Sequence, residues 1–408
     1  MQKSLNPALP MLVLVLLVAA ITPHPARAAA LPPKKDVLGV MVLANNYFMA
    51  KWPTAGSKDG LPGKRPSNIW TRGVYFEGAL ELYKINKDPA IHDYAVEWAE
   101  FHKWNYRNGI TTMNPDDQCA GQSYIGLYQF DTSKPERIAQ VRTNLDSWAN
   151  SPKRNYYTWI DTFQMSMPCF AAMGVLENKP EYFEKMFVLY DHAKTELGLY
   201  NSEDKLWWRD VKFKPPFTTP NGKQCYWSRG NGWVVAALVR VLDVLPPTDP
   251  HHAEYLKMFK DMSAALLPLQ REDGFWNVNL GDPDDFGGPE TTGTALFTYG
   301  MAWGINKGHL PADTCLAATT KGWNAIATKA LHPNGFLGYV QGTGSKPSDG
   351  QPVTYDSAPD FDDYGLGCFL LAGSEVHALG AVRGTSGDSR LQATKASEKV
   401  LSASASNK

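Results

Sequence analysis

The sequence predicts an all-α protein, one domain built as a closed array of helical hairpins around a toroidal core. Three observations predict it. Apolar residues recur at helical spacing along most of the chain. The strand-like pieces are short, at 207–211, 275–278 and 336–340. About a dozen helices of roughly ten to twenty residues, joined by Gly-, Trp- and Asp-rich turns, imply hairpins repeating every ~50–60 residues. Three turns share one flavour, polar or charged and then aromatic: Asn201 to Trp207, Arg271-Glu272-Asp273-Gly274-Phe275-Trp276 and His332-Pro333-Asn334-Gly335-Phe336. That recurrence favours a closed helical barrel over an irregular helical protein.

Taken in order, the chain opens with Lys3 as a positive n-region. Met11 to Ile21 form a short apolar run, and Ala26-Arg27-Ala28 is a small-residue cleavage site. Residues 1–28 read as a signal peptide, so the mature protein is expected to be secreted or periplasmic. The run is shorter than the roughly 20 residues of a spanning helix, and no later stretch is long and apolar enough to span. The barrel is expected over 36–382. Val74–Tyr83 carries Phe76, Ala79, Leu80 and Leu82–Tyr83 at helical spacing. Helices follow at Ala90–Tyr106, Gln118–Gln129, Arg137–Asn150, Trp159–Gly174 and Glu181–Leu197, the last long and amphipathic. Gly232–Leu245, Glu254–Gln270, Thr292–Gly304, Pro311–Ala330 and Gly365–Leu379 complete the set. Pro168 removes a backbone bond inside its helix and is expected to kink it. After about Gly380 the chain turns to Ser, Ala, Gly and Lys, and 383–408 reads as a mobile tail.

The 408 residues, 43% apolar, are enough for a large core, and no Pro/Ser/Gly linker divides them. A net charge of -1 without a basic stripe argues against a nucleic-acid partner. The cysteines Cys119, Cys169, Cys225, Cys315 and Cys368 are odd in number and match no zinc spacing. They read as small buried thiols at helix contacts, although an oxidising compartment allows one disulfide. Asp282-Pro283-Asp284-Asp285 lacks the alternating ligands of a calcium loop, and His251-His252 reads as surface. A monomer without metal or cofactor is expected.

Two segments carry chemistry. Tyr156 to Pro168 sets Asp161 two residues after Trp159, and Tyr226 to Trp233 sets Arg229 between Trp227 and Trp233. A carboxyl among rings can have its pKa raised by desolvation and so act as an acid near neutral pH. Rings beside an arginine suit a sugar carrying a carboxylate. Asp161 also has a plain reading, a first-turn carboxylate favoured by the helix dipole. It shares a helix face with Met165, away from the stripe of Ile160, Phe163, Met167 and Phe170. Asp116 reads as the N-cap of the third helix, with Asp117 beside it. Adjacent carboxylates at a helix start more often serve cap and dipole than catalysis. Gln118 and Gln122 stand on one face and suit sugar hydroxyls. Arg229 reads as either a ligand contact or a structural ion pair, and Gly230 and Gly232 allow a tight turn or a close approach.

These strings together resemble glycoside hydrolase family 105, the unsaturated rhamnogalacturonyl hydrolases, and more distantly the unsaturated glucuronyl hydrolases of family 88. The carrying segments are Asp116-Asp117-Gln118 with Gly121-Gln122, Trp159-Ile160-Asp161, Tyr226 to Trp233, Pro289-Glu290-Thr291-Thr292-Gly293, and Phe361 to Ser374. The likeness spans roughly Val37 to Gly380. It implies an (α/α)6 barrel of the six-hairpin glycosidase type, a metal-free site, and an unsaturated uronyl di- or oligosaccharide as partner. In that family an aspartic acid protonates C4 of a 4,5-unsaturated uronic acid and water adds at C5. Carried over, the resemblance makes Asp161 the acid/base and Asp117 the second carboxylate, with Asp116 its contender. It makes Trp159, Trp227 and Trp233 ring walls, sets Met165 beneath the acid, and brings Arg229 and Tyr75 to the substrate. Pectin-acting relatives tend to carry Tyr-His where this chain has Trp208-Arg209. Arg209 suits bidentate pairing with a uronate, which leaves galacturonyl and glucuronyl substrates both open. An inverting glycosidase on saturated glycosides and a catalytically silent sugar-binding barrel are the alternatives. An epimerase would want paired cleft histidines, which the motifs lack.

Overall fold

The computed structural model describes residues 31–379. The expected signal peptide and tail lie outside them. The helices are α1 (Lys34–Lys51), α2 (Trp70–Asn86), α3 (Pro89–Phe101), α4 (Pro115–Phe130), α5 (Glu136–Ala149), α6 (Asp161–Glu177), α7 (Pro180–Asp191), α8 (Ser228–Leu242), α9 (His252–Leu266), α10 (Thr291–Asn306) and α11 (Ala312–Ala325). A last helix, α12, runs over residues 364–379.

The even-numbered helices form an inner ring. α2, α4, α6, α8 and α10 pack in sequence, and α12 closes on α2 where Gly78 meets Gly367. The odd-numbered helices form the outer ring, so the architecture is the (α/α)6 barrel that the hairpin pattern predicts. Burial follows from position. An outer helix has one covered face, as in α3 at Ile91, Tyr94, Ala95, Trp98 and Ala99. An inner helix is covered all round, and every residue of α10 from Thr291 to Gly304 is buried. Glycines let the inner backbones approach. A Cβ on Gly367 would lie 2.2 Å from the Val74 carbonyl oxygen, and one on Gly293 2.1 Å from Ser228 Oγ.

Some details differ from expectation. Helix α1 was not anticipated, although Val37, Met41, Ala44, Asn45 and Phe48 line its buried face at helical spacing. α3 ends earlier because Lys103 and Trp104 turn left-handed. α6 contains Pro168 and runs on to Glu177, three residues beyond its expected end. α8 begins at Ser228, so the Tyr226–Trp233 string is its entry and first turn. The cap of α4 is Asn114, which accepts from the Asp116 N–H. Pro115 takes the first helical position, so Asp116 falls inside the first turn. The extended pieces reduce to two small antiparallel pairs. They are β1 (Tyr200–Asn201) with β2 (Leu206–Trp207) and β3 (Trp276–Asn277) with β4 (Pro289–Glu290). The 336–340 segment makes only a single bridge, Leu331 with Leu337. All five cysteines are free and buried. Among the described residues no helix is long and apolar enough to cross a membrane.

Candidate active site

The N-terminal ends of α4 and α6 meet the segment after β2 and the 343–344 loop around one pocket. Its geometry starts from a backbone tie. Trp159 and Asp210 form an antiparallel bridge, and the Ile160 N–H donates to the Arg209 carbonyl at 3.0 Å. Asn231 of α8 fixes the strand beside it, accepting from the Trp207 N–H and donating to the Trp207 carbonyl. Arg209 is thereby held next to Asp161, its Nε donating to Asp161 Oδ2 at 3.2 Å. Its Nη1 donates to Asp210 at 2.8 Å, and the guanidinium sits 5.6 Å from the Trp159 ring centroid.

The pocket holds about 160 Å³ and is lined by Trp70, Asp116, Trp159, Asp161, Met165, Arg209, Thr343 and Gly344. Burial pushes the Asp161 carboxyl above its ordinary range, and the Arg209 and Arg229 cations only partly offset that. Asp116, half-buried, is pushed up to about 7 by burial and then by the charges of Asp161 and Asp117. The pocket therefore presents two carboxyls whose proton affinity is raised by burial and one guanidinium, beside two indoles. This is the equipment of acid–base chemistry on a ring that carries a negative charge.

Five of the expected site residues meet here: Asp161, Asp116, Trp159, Met165 and Arg209. Asp117 does not. Its buried carboxylate accepts from Arg107 Nε, Asn108 Nδ2 and Thr112 Oγ1, which fastens the 107–112 loop onto α4. Asp116 is the second pocket carboxylate instead. Arg229 is also elsewhere. It is 1% exposed and donates to the carbonyls of Gln341 at 2.7 Å and Gly342 at 2.8 Å, packed on Trp227 and Tyr364. Trp227 donates to Gln341 Oε1, and Trp233 is buried edge-on to Trp70. These residues anchor the Gln341–Gly344 loop that roofs the pocket. Gly230 and Gly232 serve helix packing, Gly232 against Leu296 and Gly230 against Ile160. Tyr75 is buried, donating to Asn45 at 2.9 Å and packed on Phe48.

Gln122 does not line this pocket. It lines a separate cavity of about 290 Å³ with Glu77, Arg240 and Glu375, accepting from Arg240 and donating to the Gln164 carbonyl. Gln118 is buried against Asn144 and Ser166. Sequence reasoning missed Trp70, Thr343 and Gly344. Trp70 lies four residues before the expected helix start at Val74, so only its residue type was a signal for it. The Gln341-Gly-Thr-Gly run was a fainter one for the others.

A six-hairpin barrel with a carboxylate pocket at the N-terminal ends of its inner helices is a glycoside hydrolase architecture. The model of Glycosyl Hydrolase Family 88 matches residues 40–379, and the chain belongs to that family. It is 31% identical over 330 residues to an unsaturated 3S-rhamnoglycuronyl hydrolase of Formosa agariphila, covering 76% of this chain and 84% of that relative. A solved family 88 glycosyl hydrolase of Bacteroides vulgatus superposes with a TM-score of 0.77 at 30% identity, over 85% of this chain and all of that one. A possible family 105 member from Salmonella enterica shares the fold at 21% identity, with a TM-score of 0.68 over 90% of this chain and 99% of its own.

Proposed function

We propose that the protein releases a 4,5-unsaturated uronic acid from the non-reducing end of lyase-generated oligosaccharides by hydrating its C4=C5 vinyl ether. The carrying observation is Asp161, a buried acid with raised pKa in a pocket for one ring. At about 160 Å³ the pocket is smaller than the roughly 300–1,000 Å³ that encloses larger ligands. One terminal sugar enters and the rest stays outside.

Protonated Asp161 gives its proton to C4, breaking the C4=C5 π bond and leaving cationic character at C5 and the ring oxygen. Water adds at C5 and gives a proton back to the Asp161 carboxylate. The hemiketal opens to a C5 ketone and expels the aglycone from C1. Arg209 pairs with the uronate carboxylate, Trp159 and Trp70 flank the ring, and Met165 floors the pocket. Asp116 shares the pocket as a second proton store, its carboxyl at about 7. The Formosa agariphila relative's name points to rhamnose as the neighbouring sugar, and we extend that aglycone to this protein.

The test follows the ultraviolet absorbance of the double bond with unsaturated glucuronyl-rhamnose and unsaturated galacturonyl-rhamnose. Loss with wild type and not with Asp161→Asn is expected. Cleavage of saturated disaccharides at a comparable rate points to an inverting glycosidase. Binding without turnover points to a silent barrel. The sequence of residues 1–28 supports action outside the cytoplasm, checked by the N-terminus of the secreted protein, expected at Ala29.

A further inference from the structure

Arg209 uses its donors in an order that bears on catalysis. Nη1 is held by Asp210, and Nε is held by Asp161. Among the described residues Nη2 makes no hydrogen bond, and the side chain is 20% exposed on the pocket. A carboxylate that pairs bidentately with guanidinium along its side takes Nε and Nη2 together. Nε is the atom that Asp161 occupies. Side-on pairing of Arg209 with an incoming carboxylate and its bond to Asp161 exclude each other, whereas end-on pairing through Nη1 and Nη2 has to share Nη1 with Asp210.

We propose that Arg209 is a substrate-triggered switch on the catalytic acid: the uronate carboxylate displaces Asp161 from the guanidinium edge and leaves Asp161 free to carry the proton it delivers. The inference rests on the function proposed above and adds to it. In the empty pocket Arg209 favours the carboxylate form of Asp161. Once its edge is taken, Asp161 has lost its hydrogen-bonded cation and gained a second negative charge nearby. Both changes favour the protonated form. The acid is thus armed only when the ring that it must protonate is in place. A neutral sugar of the same shape leaves the pair intact.

The other charged groups around Asp161 do not perform this exchange. Asp116, from α4, adds repulsion in both states. Arg229, from α8, adds attraction in both, because its guanidinium is fixed on the Gln341 and Gly342 carbonyls. Asp210, on the Arg209 segment, stays on Nη1. From the roof, Asp360 is exposed and holds Thr343.

The experiment compares pH profiles for unsaturated glucuronyl-rhamnose and for its uronate methyl ester, which has the same ring without the charge. The basic limb of kcat/KM reports the acid in free enzyme, and that of kcat the acid in the complex. With the uronate, the kcat limb is expected at higher pH than the kcat/KM limb. With the ester, the two limbs are expected to coincide at the lower position. In Arg209→Gln the kcat/KM limb moves up, the separation disappears, and KM rises for the uronate far more than for the ester. In Asp116→Asn the separation persists at a reduced rate. Coincident limbs for wild type with the uronate, or separated limbs with the ester, overturn the switch alone. Absence of turnover with every unsaturated disaccharide overturns the switch and the function together.

Discussion

Asp116 and Asp117 are adjacent in sequence but differently placed, one lining the pocket and the other holding the 107–112 loop, and paired substitutions separate them. Asp117 is 1% exposed and accepts at 3.1 Å from Arg107, 2.8 Å from Asn108 and 2.6 Å from Thr112. Hydrogen bonds to a charged group contribute about 1.5–3 kcal/mol each. Arg107 can swing to water and recover most of its share, because its side chain is 22% exposed. The buried Thr112 hydroxyl cannot. We expect Asp117→Ala to cost about 2–4 kcal/mol once that recovery is discounted. For a domain of about 350 residues that is roughly 3–5 °C in Tm. Among the described residues no side chain donates to the Asp116 carboxyl, so Asp116→Asn is expected to leave Tm within about 1–2 °C. Its kcat should fall about 100-fold, the low end for a proton-transfer group. Scanning calorimetry and the ultraviolet assay read both quantities on the same preparations. Wild-type Tm with an activity loss as deep as that of Asp161→Asn, found for Asp117→Ala, would refute the assignment.

Arg229→Ala removes two charge-assisted bonds to the roof loop, at Gln341 and Gly342. A loss of about 1.5–3 kcal/mol of loop anchoring reads as roughly 10–100-fold in kcat/KM, and loss of a cation that lowers the Asp161 carboxyl moves the basic limb to higher pH. An unmoved limb with the same loss of kcat/KM would mean that Arg229 acts only through the loop and its charge is not felt at Asp161. Tyr75→Phe deletes only the bond to Asn45 and is expected to cost about 0.5–1.5 kcal/mol in urea unfolding without changing KM. Glu77, whose side chain has no exposed surface, is raised to about 7 from 4.5 by burial, against the pull of Arg240. A raised carboxyl binds its proton more tightly folded than unfolded, so this contribution is complete below about pH 4.5 and is lost as pH rises toward 7. The loss is about 3 kcal/mol by order of magnitude. Glu77→Gln should flatten the fall of Tm between pH 5 and 8, and an unchanged slope would assign it to other groups.

How much of the site the sequence disclosed depends on how far apart its parts lie. Trp159, Asp161 and Met165 are set by one helix start, and their common pocket follows from spacing alone. Arg209 needed one more relation, the bridge of Trp159 to Asp210, to reach the same pocket. The choice between Asp116 and Asp117 was not legible. Neighbouring positions on a first helical turn differ by about 100°, and which one faces the axis depends on where the helix begins. Asn114 rather than Asp116 caps it, and that offset turned Asp117 to the 107–112 loop. The Tyr226–Trp233 string was the most specific motif, yet its arginine and indoles reach a loop 112 residues away. An arginine between aromatic rings is equally suited to a sugar acid and to two backbone carbonyls, so residue type cannot choose between them. The position of the carbonyls chooses, and it is set only when α12 closes the ring on α2. Motif strength here measures how tightly a residue's surroundings constrain it. A roof loop that must be held over a one-ring pocket constrains its anchors at least as tightly as the ligand constrains the groups that touch it.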